Sequence, residues 1–253
     1  MNGEYLQRTE LLLGKEPMKE ISDAKVILFG VGGVGSWCAE ALIRTGVEHL
    51  AIVDSDMVAP SNLNRQLMAT VDTIGVPKVE ALRNRLLAIN PDATIVPIQE
   101  IYSEATSQSF HLEQYDYIID AIDSLSHKAH LLYTASQTSA KVFSSMGAAL
   151  KFDITKIQVA ELRKVKGCPL GAALRRRMRK LEIMPTSKIM CVYSEELLEN
   201  KGGTMIGGDF SDTNPMFNKV QHNGTVMHAV ATFGLVLAGL VISDICNKYK
   251  CGE

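Results

Sequence analysis

A mostly parallel α/β sheet flanked by helices is the fold this sequence predicts, and three observations predict it. The segment Lys25 to Asp56 sets two apolar runs around a glycine-rich turn. The strand-like runs are continuously apolar, as suits strands buried on both faces. Strand and helix signals then keep alternating well past that segment, the order that builds βαβ units.

In the first unit, Val26 to Phe29 reads as a buried strand and Gly30, Gly32, Gly33 and Gly35 follow it at once. Glycine suits a turn that must adopt positive φ and let a phosphate approach closely. The N–H groups opening the next helix, near Val34 and Ser36, then point at the anion. A second apolar run, Leu50 to Val53, ends at Asp54, nineteen residues after Gly35. At that spacing an acidic side chain reaches a ribose hydroxyl, which makes the core Rossmann-like.

Further along, Val79, Leu82, Leu86 and Ile89 recur at helical spacing within Pro77 to Ile89, and Asn90-Pro91 leads into a short strand, Thr94 to Ile98. Tyr117 to Ala121 and Lys141 to Met146 supply more strands, separated by a helix through His127, His130 and Tyr133. From about Ile157 a strand-like IQVAEL precedes a stretch, Arg163 to Lys180, with eight Lys or Arg and no acid. Leu170, Leu174, Met178 and Leu181 form one helical stripe there, with Arg175, Arg176, Arg177 and Arg179 on the flanks and outer face, either as candidate contacts to an RNA backbone or as a solvated helix face. Asn200 to Asn214, with four glycines, reads as a mobile loop or active-site flap. Thr225 to Ile245 is apolar, but its stretch free of His and Asp, Ala229 to Ser243, is short for a ~20-residue bilayer crossing, so a buried core or dimer-interface helix is expected. At the N-terminus, Leu11, Leu12 and Leu13 are expected to anchor a short helix that leaves Arg8 free. The domain reading is a single unit over 1–253, with a nucleotide-binding core at 25–150 and a substrate-facing, dimer-forming part at 157–253.

Beyond the glycine turn, the sequence favours a triphosphate over a dinucleotide. Asp54 to Gln66 reads DSDMVAPSNLNRQ, Lys78 opens a helix, and Asp120 and Asp123 end a buried strand. Arg65 and Lys78 can neutralise phosphate oxygens while Asp123 holds Mg²⁺ against them, a set for which NAD or FAD has no use. The competing reading of each residue alone is a solvated loop charge. Their shared position at carboxyl ends of strands and helix starts, where open α/β sheets bind ligands, argues against it.

The pattern G-x-G-G-x-G-S, D-x-D, S-N-L-x-R-Q, a Lys before the next helix, and D-A-x-D resembles the ubiquitin-activating-enzyme-like ATP-dependent adenylating family. That family includes the bacterial molybdopterin-synthase and thiamine sulfur-carrier activating enzymes. Within it, YLQRTELLLG, KVKGCPLGAALRRRMRKL and VYSEE are most similar to the branch that modifies tRNA carrying threonylcarbamoyladenosine. The resemblance implies that Gly30, Gly32, Gly33, Gly35 and Ser36 bind phosphate and that Asp54, with Asp56 in the same D-x-D, serves the ribose. It likewise gives Ser61, Asn62, Arg65, Gln66 and Lys78 to the phosphates, and Asp123 with Ser124 to Mg²⁺ and nucleotide. It implies a homodimer in which Arg8 reaches the partner's triphosphate. A monovalent cation and a cysteine desulfurase system are further expectations. The sequence departs from the pattern at Cys168, where an acid is expected before Pro169.

Composition narrows the class without naming it. The chain has 253 residues, 46% hydrophobic content and a net charge of −2, enough for a full core and not a wholly basic nucleic-acid binder. No signal or transit peptide is read at the start, so the cytoplasm is the expected setting, with no membrane. Five scattered cysteines form no disulfide framework and no C-x-x-C pair, so zinc is not expected. Cys168 or Cys191 as a thioester-forming nucleophile stands against an ordinary free thiol, the favoured reading. His127 and His130 are read as a helix face with no metal role. The alternatives in function are a sulfur-carrier adenylyltransferase, a nicotinamide-dependent oxidoreductase and a non-catalytic nucleotide sensor.

Overall fold

The computed structural model of the chain describes residues 4–202 and 223–250. Its centre is a seven-stranded sheet ordered β3-β2-β1-β4-β5-β7-β6. β1 (Lys25–Phe29), β2 (His49–Val53), β3 (Thr94–Ile98), β4 (Tyr117–Asp120), β5 (Lys141–Ser145) and β7 (Ile189–Ser194) run parallel. Only the edge strand β6 (Ile157–Glu161) is antiparallel, against β7. The α/β, mostly parallel reading holds. β7, however, was not read as a strand: it enters between β5 and IQVAEL and displaces the latter to the sheet edge.

The continuous apolar runs follow from two covered faces. Successive residues of a strand point to opposite sides, and Val26, Leu28, Leu50 and Ile52 join one apolar cluster while Ile27, Phe29, Ala51 and Val53 join the other. The first face is covered by α2 (Lys15–Asp23), α3 (Gly35–Thr45), α4 (Lys78–Leu87) and α7 (Met227–Lys250). The second is covered by α5 (Leu125–Ala135) and α6 (Pro169–Leu181), with Tyr102 and Phe110 each meeting Phe29 edge-on at 5.2 Å.

α7 passes a length-and-composition test for a membrane span, yet over half of that window is buried within the protein. Phe233, Leu237, Val241 and Ile245 pack into the first cluster. A Cβ on Gly234 would collide with the carbonyl of Val34, so this glycine lets α7 lie directly against the start of α3. α2 was not foreseen; it buries Pro17, Met18 and Ile21. On α1 (Gln7–Leu13) the expected leucine anchor is corrected: Leu11 and Leu12 are 88% and 82% exposed, and only Leu13 packs on the core. The stripe on α6 is shorter than expected, since Leu174 and Met178 are buried but Leu181 is 45% exposed. The glycine-rich segment read as a flap lies outside the described residues from 203 onward, as does Cys251.

Two glycines fix where α3 starts. Gly30 has φ of +83°, and a Cβ there would lie 2.7 Å from the carbonyl oxygen of Ala121 after β4. A Cβ on Gly35 would overlap the carbonyl of Gly30. Beneath that turn, Lys128 and Asp120 form an ion pair at 2.7 Å with both side chains fully buried. The ammonium also donates to the carbonyl of Ile122 at 2.8 Å, and the carboxylate accepts from Ser144 Oγ at 2.6 Å and from the Ile122 N–H at 3.1 Å. Removing one partner of such a pair strands a buried charge, at a cost of about 3–5 kcal/mol. Lys128→Met is therefore expected to lower the urea midpoint severely, whereas Lys128→Met with Asp120→Leu should recover much of the loss. A double variant no more stable than the single would show that the stranded carboxylate is not the cause.

Candidate functional site

The carboxyl ends of β1, β2 and β4 lie side by side, because β2 and β4 flank β1 on opposite sides. The chain leaves β1 toward β2 on one side and returns through β4 on the other, opening the crevice where α/β sheets take ligands. The glycine turn, Asp54 and the Ala121–Ser124 loop are all at this end. Asp54 holds the turn: Oδ2 accepts from the Val31 N–H at 2.8 Å and Oδ1 from the Asp56 N–H at 3.0 Å. Burial pushes its carboxyl above the usual range, opposed by Lys78 and those two N–H groups.

The Ser61–Gln66 loop closes over the turn. A Cβ on Gly33 would touch the Arg65 side chain and Val230 of α7 at 3.3 Å, which places Arg65 over the glycines. Gln66 is 6% exposed beside Gly32, and its Oε1 is buried without a hydrogen-bond partner among the described residues. Arg65 donates to Ser61 O and Asn64 Oδ1, both at 2.9 Å. Burial lowers the guanidinium's pKa, and the negative charge of Asp123 opposes that drop. Lys78, nearly buried at the start of α4, donates to the exposed carboxylate of Asp56 at 2.7 Å. Asp123 is exposed, and Ser124 stands at the N-cap position of α5 without a side-chain capping bond. Gly30, Gly32, Gly33, Gly35, Asp54, Arg65, Gln66 and Asp123 are thus gathered around one crevice, with Ser61 exposed at its rim.

Two other candidates face inward. Ser36 is fully buried; its hydroxyl donates to Gly32 O at 2.7 Å and accepts from Leu67 N at 3.1 Å, stitching the turn to the overlying loop. Asn62 is 8% exposed and its Oδ1 accepts from Ala59 N at 2.9 Å, shaping that loop. Sequence reading missed Lys128, whose bond to Ile122 holds the segment carrying Asp123. It also missed Lys151, 5% exposed, whose pKa burial lowers while nearby Cys168 and Glu196 oppose the drop. The available signal for Lys128 was its place in the first turn of the helix that follows the strand-end acids.

Among the described residues no three His, Cys, Asp or Glu gather as metal ligands. A lone exposed carboxylate beside a phosphate cradle nevertheless fits Mg²⁺, which takes one or two carboxylates and completes its shell with phosphate and water. His130 meets the Tyr102 hydroxyl through Nδ1 at 3.0 Å. Cys191 is fully buried and burial pushes its thiol far up, while Cys168 is 4% exposed at the cap of α6, where an acid would accept helix N–H bonds. Neither thiol is displayed to a substrate. On the basic stretch, Arg176, Arg179 and Lys180 are exposed, as are Arg163, Lys164 and Lys166. Arg175 instead donates to Leu162 O at 3.1 Å, and Nε of Arg177 is buried. Arg8 is exposed on α1. A Cβ on Gly46 would lie 3.3 Å from Leu6, so α1 begins at the end of α3 remote from the glycine turn, about 16 Å away along the helix.

The ThiF family profile matches residues 6–250. The chain belongs to the ThiF family. This ThiF-family chain is 34% identical to the Bacillus subtilis tRNA threonylcarbamoyladenosine dehydratase over 246 residues, covering 96% of this chain and 95% of that one. The structure of the Escherichia coli enzyme of the same name, TcdA, in complex with ATP is similar to it with a TM-score of 0.84 and 29% identity, over 99% of this chain and 97% of that one. Similarity to the Escherichia coli molybdopterin-synthase adenylyltransferase, at 33% identity, covers 55% of this chain and 54% of that one.

The Asp54 environment sets a pH dependence. A carboxyl raised in the folded state keeps its proton where the unfolded chain has lost it. Its stabilising contribution is present below the ordinary Asp value and is lost as pH rises through the raised one. The stability of the parent relative to Asp54→Asn, from urea titrations between pH 4 and 7, is therefore expected to fall as pH rises; a difference that grows with pH would mean that the two N–H bonds outweigh burial.

Proposed function

We propose that this chain is an ATP-dependent tRNA threonylcarbamoyladenosine dehydratase. The reading rests on end-to-end similarity to proteins of that name, one of them solved with ATP, whereas the likeness to a sulfur-carrier adenylyltransferase spans about half of each chain. The absence of any C-x-x-C pair in the sequence is in keeping with it. In this reading residues 25–150 bind the nucleotide, 157–253 face the RNA, and the setting is the cytoplasm.

A carboxylate resists nucleophilic attack because its leaving group would be oxide. An oxygen of the threonyl carboxylate attacks the α-phosphorus of ATP, and pyrophosphate leaves. A nitrogen or oxygen of the same carbamoyl side chain then adds to the acyl carbon, loses its proton to solvent, and expels AMP together with the former carboxylate oxygen. The sum is loss of one water and closure of a ring. Intramolecular attack needs no protein nucleophile, in keeping with thiols that are buried. The turn's N–H groups and Arg65 lie where phosphate charge develops, and Lys78 leaves Asp56 to join them. Mg²⁺ held by Asp123 would neutralise charge on the phosphates. Arg176, Arg177 and Arg179, with the exposed Arg163 to Lys166 cations, supply the RNA-facing charge, and Arg175 ties α6 to Leu162 through its backbone carbonyl.

With ATP, Mg²⁺ and tRNA bearing threonylcarbamoyladenosine, the purified protein is expected to give the cyclised base, AMP and pyrophosphate in equal amounts, read by nucleoside mass spectrometry. Asp123→Ala should abolish AMP formation while the melting temperature stays within a few degrees. AMP formed with a ubiquitin-like protein C-terminus and none with tRNA would move the chain to the other branch.

Arg8 is assigned to the triphosphate of a partner subunit in a homodimer, as the family resemblance implies; the start of α1 at the end of α3 remote from its own turn is in keeping with that. An Arg8→Ala chain and an Asp123→Ala chain should each be inactive, and heterodimers of the two should regain one working site. Heterodimers that form and stay inactive would overturn the assignment in trans.

A further inference from the structure

The loop after β5 ends in an aromatic side chain that neither the core nor the nucleotide crevice uses. Phe152 is 60% exposed, an unusual position for a phenyl ring in a segment whose backbone is otherwise fixed. Its N–H donates to Glu196 Oε2 at 2.6 Å, as does that of Asp153 at 3.0 Å. Its carbonyl accepts from His228 Nε2 at 2.9 Å. The two rings also stand at 86° with centroids 5.1 Å apart. An edge-to-face contact occupies at most one face of the phenyl ring. Among the described residues the ring is thus held in place with a face left open.

Its location is defined by the residues that hold it. β5 lies beside β4 in the sheet, so its carboxyl end opens on the same side as Asp123. His228 sits at the start of α7, two residues before Val230, whose side chain a Cβ on Gly33 would touch. Three residues before it, Thr225 O accepts from Asn64, the neighbour of Arg65, at 3.3 Å. A pinned aromatic ring therefore adjoins the crevice through α7. Of the two acids beside it, Glu196 has its carboxylate occupied by the two N–H groups and Lys156, and Asp153 accepts from the Thr155 N–H and hydroxyl and pairs with Lys156 at 3.5 Å.

RNA-modifying sites read an unstacked base by laying it on an aromatic ring, and base–aromatic stacking is sequence-tolerant because every base has a π-face. We propose that Phe152, braced by His228, is the stacking platform for the target adenine, holding its N6 substituent toward the crevice. The proposal rests on the dehydratase reading and adds the residue that receives the base.

The test uses the full-length protein, Phe152→Leu and Phe152→Trp, with two anticodon stem-loops that differ only in an adenosine or an abasic site at the target position. Truncating a stacking ring costs about 10- to 100-fold in affinity. The parent and Phe152→Trp should prefer the adenosine stem-loop by at least about 10-fold, and Phe152→Leu should bind both stem-loops alike. With tRNA bearing threonylcarbamoyladenosine, Phe152→Leu should raise KM for the RNA far more than it changes kcat. Calorimetry should give the parent's ATP Kd for both variants, which also shows that they are folded. Phe152→Leu that keeps the parent's preference for adenosine overturns the proposal and leaves the dehydratase reading standing. So does an equal loss of affinity for both stem-loops, which would make the ring a general contact or a contact between copies. A parent that binds ATP but does not convert the modified tRNA overturns the dehydratase reading, and the proposal falls with it.

Discussion

Everything at the crevice depends on one close approach of backbone to backbone. Gly35 rests on the carbonyl of Gly30, and Gly30 in turn rests on the carbonyl of Ala121, so β1, the first turn of α3 and the exit of β4 meet with no side chain between them. That contact decides where the helix N–H groups emerge and sets the height of the loop carrying Asp123. Gly234 extends the same logic outward, letting α7 lie on Val34, so that a helix distant in sequence roofs the turn. Any Cβ in this stack would have to move a main chain, because the colliding atoms are carbonyls and not flexible side-chain ends.

Below that contact the structure uses charge where the sheet would otherwise be apolar. Asp120 and Lys128 have no access to solvent, yet each finds further hydrogen-bond partners, Ser144 and the Ile122 backbone. Such a pair adds little net stability over an apolar substitute, but it fixes geometry when every member is satisfied. The geometry fixed here is that of residues 121–124, which would otherwise be an unsupported loop.

The parts of the fold visible in the sequence are those where one residue pattern admits one structure. Val26 to Phe29, the four glycines and Leu50 to Asp54 make such a pattern, since a doubly buried strand and a phosphate turn each demand a narrow residue set. α2 was invisible because KEPMKEISD is mostly polar and buries only Pro17, Met18 and Ile21. β7 carries the same local signal, the buried apolar run IMCVYS, and pairs parallel with β5 as well as antiparallel with β6; it was missed because its end was taken up as part of the VYSEE motif and not read as a strand. In the crevice, residue types were legible and directions were not. Ser36 and Asn62 sit within the motifs read as phosphate-binding yet point their polar atoms into the protein, and Lys128 reads in sequence like any solvated helix cation. Leu11 and Leu12 misled for the converse reason: three consecutive leucines cannot share one helix face, and among the described residues nothing covers the outer two.

The Lys78–Asp56 pair carries one further consequence. The ammonium is almost sealed from water and already holds a carboxylate at 2.7 Å. An arriving anion must therefore outbid a full negative charge at contact distance rather than a water molecule. Acetate or chloride offers no gain in that exchange, whereas a polyphosphate brings several charges at once and leaves Asp56 free to swing into solvent. With Lys78 serving the phosphates as proposed, the pair would filter arriving anions by charge density before base or sugar is read, and Asp56 would hold the lysine in place when no nucleotide is bound.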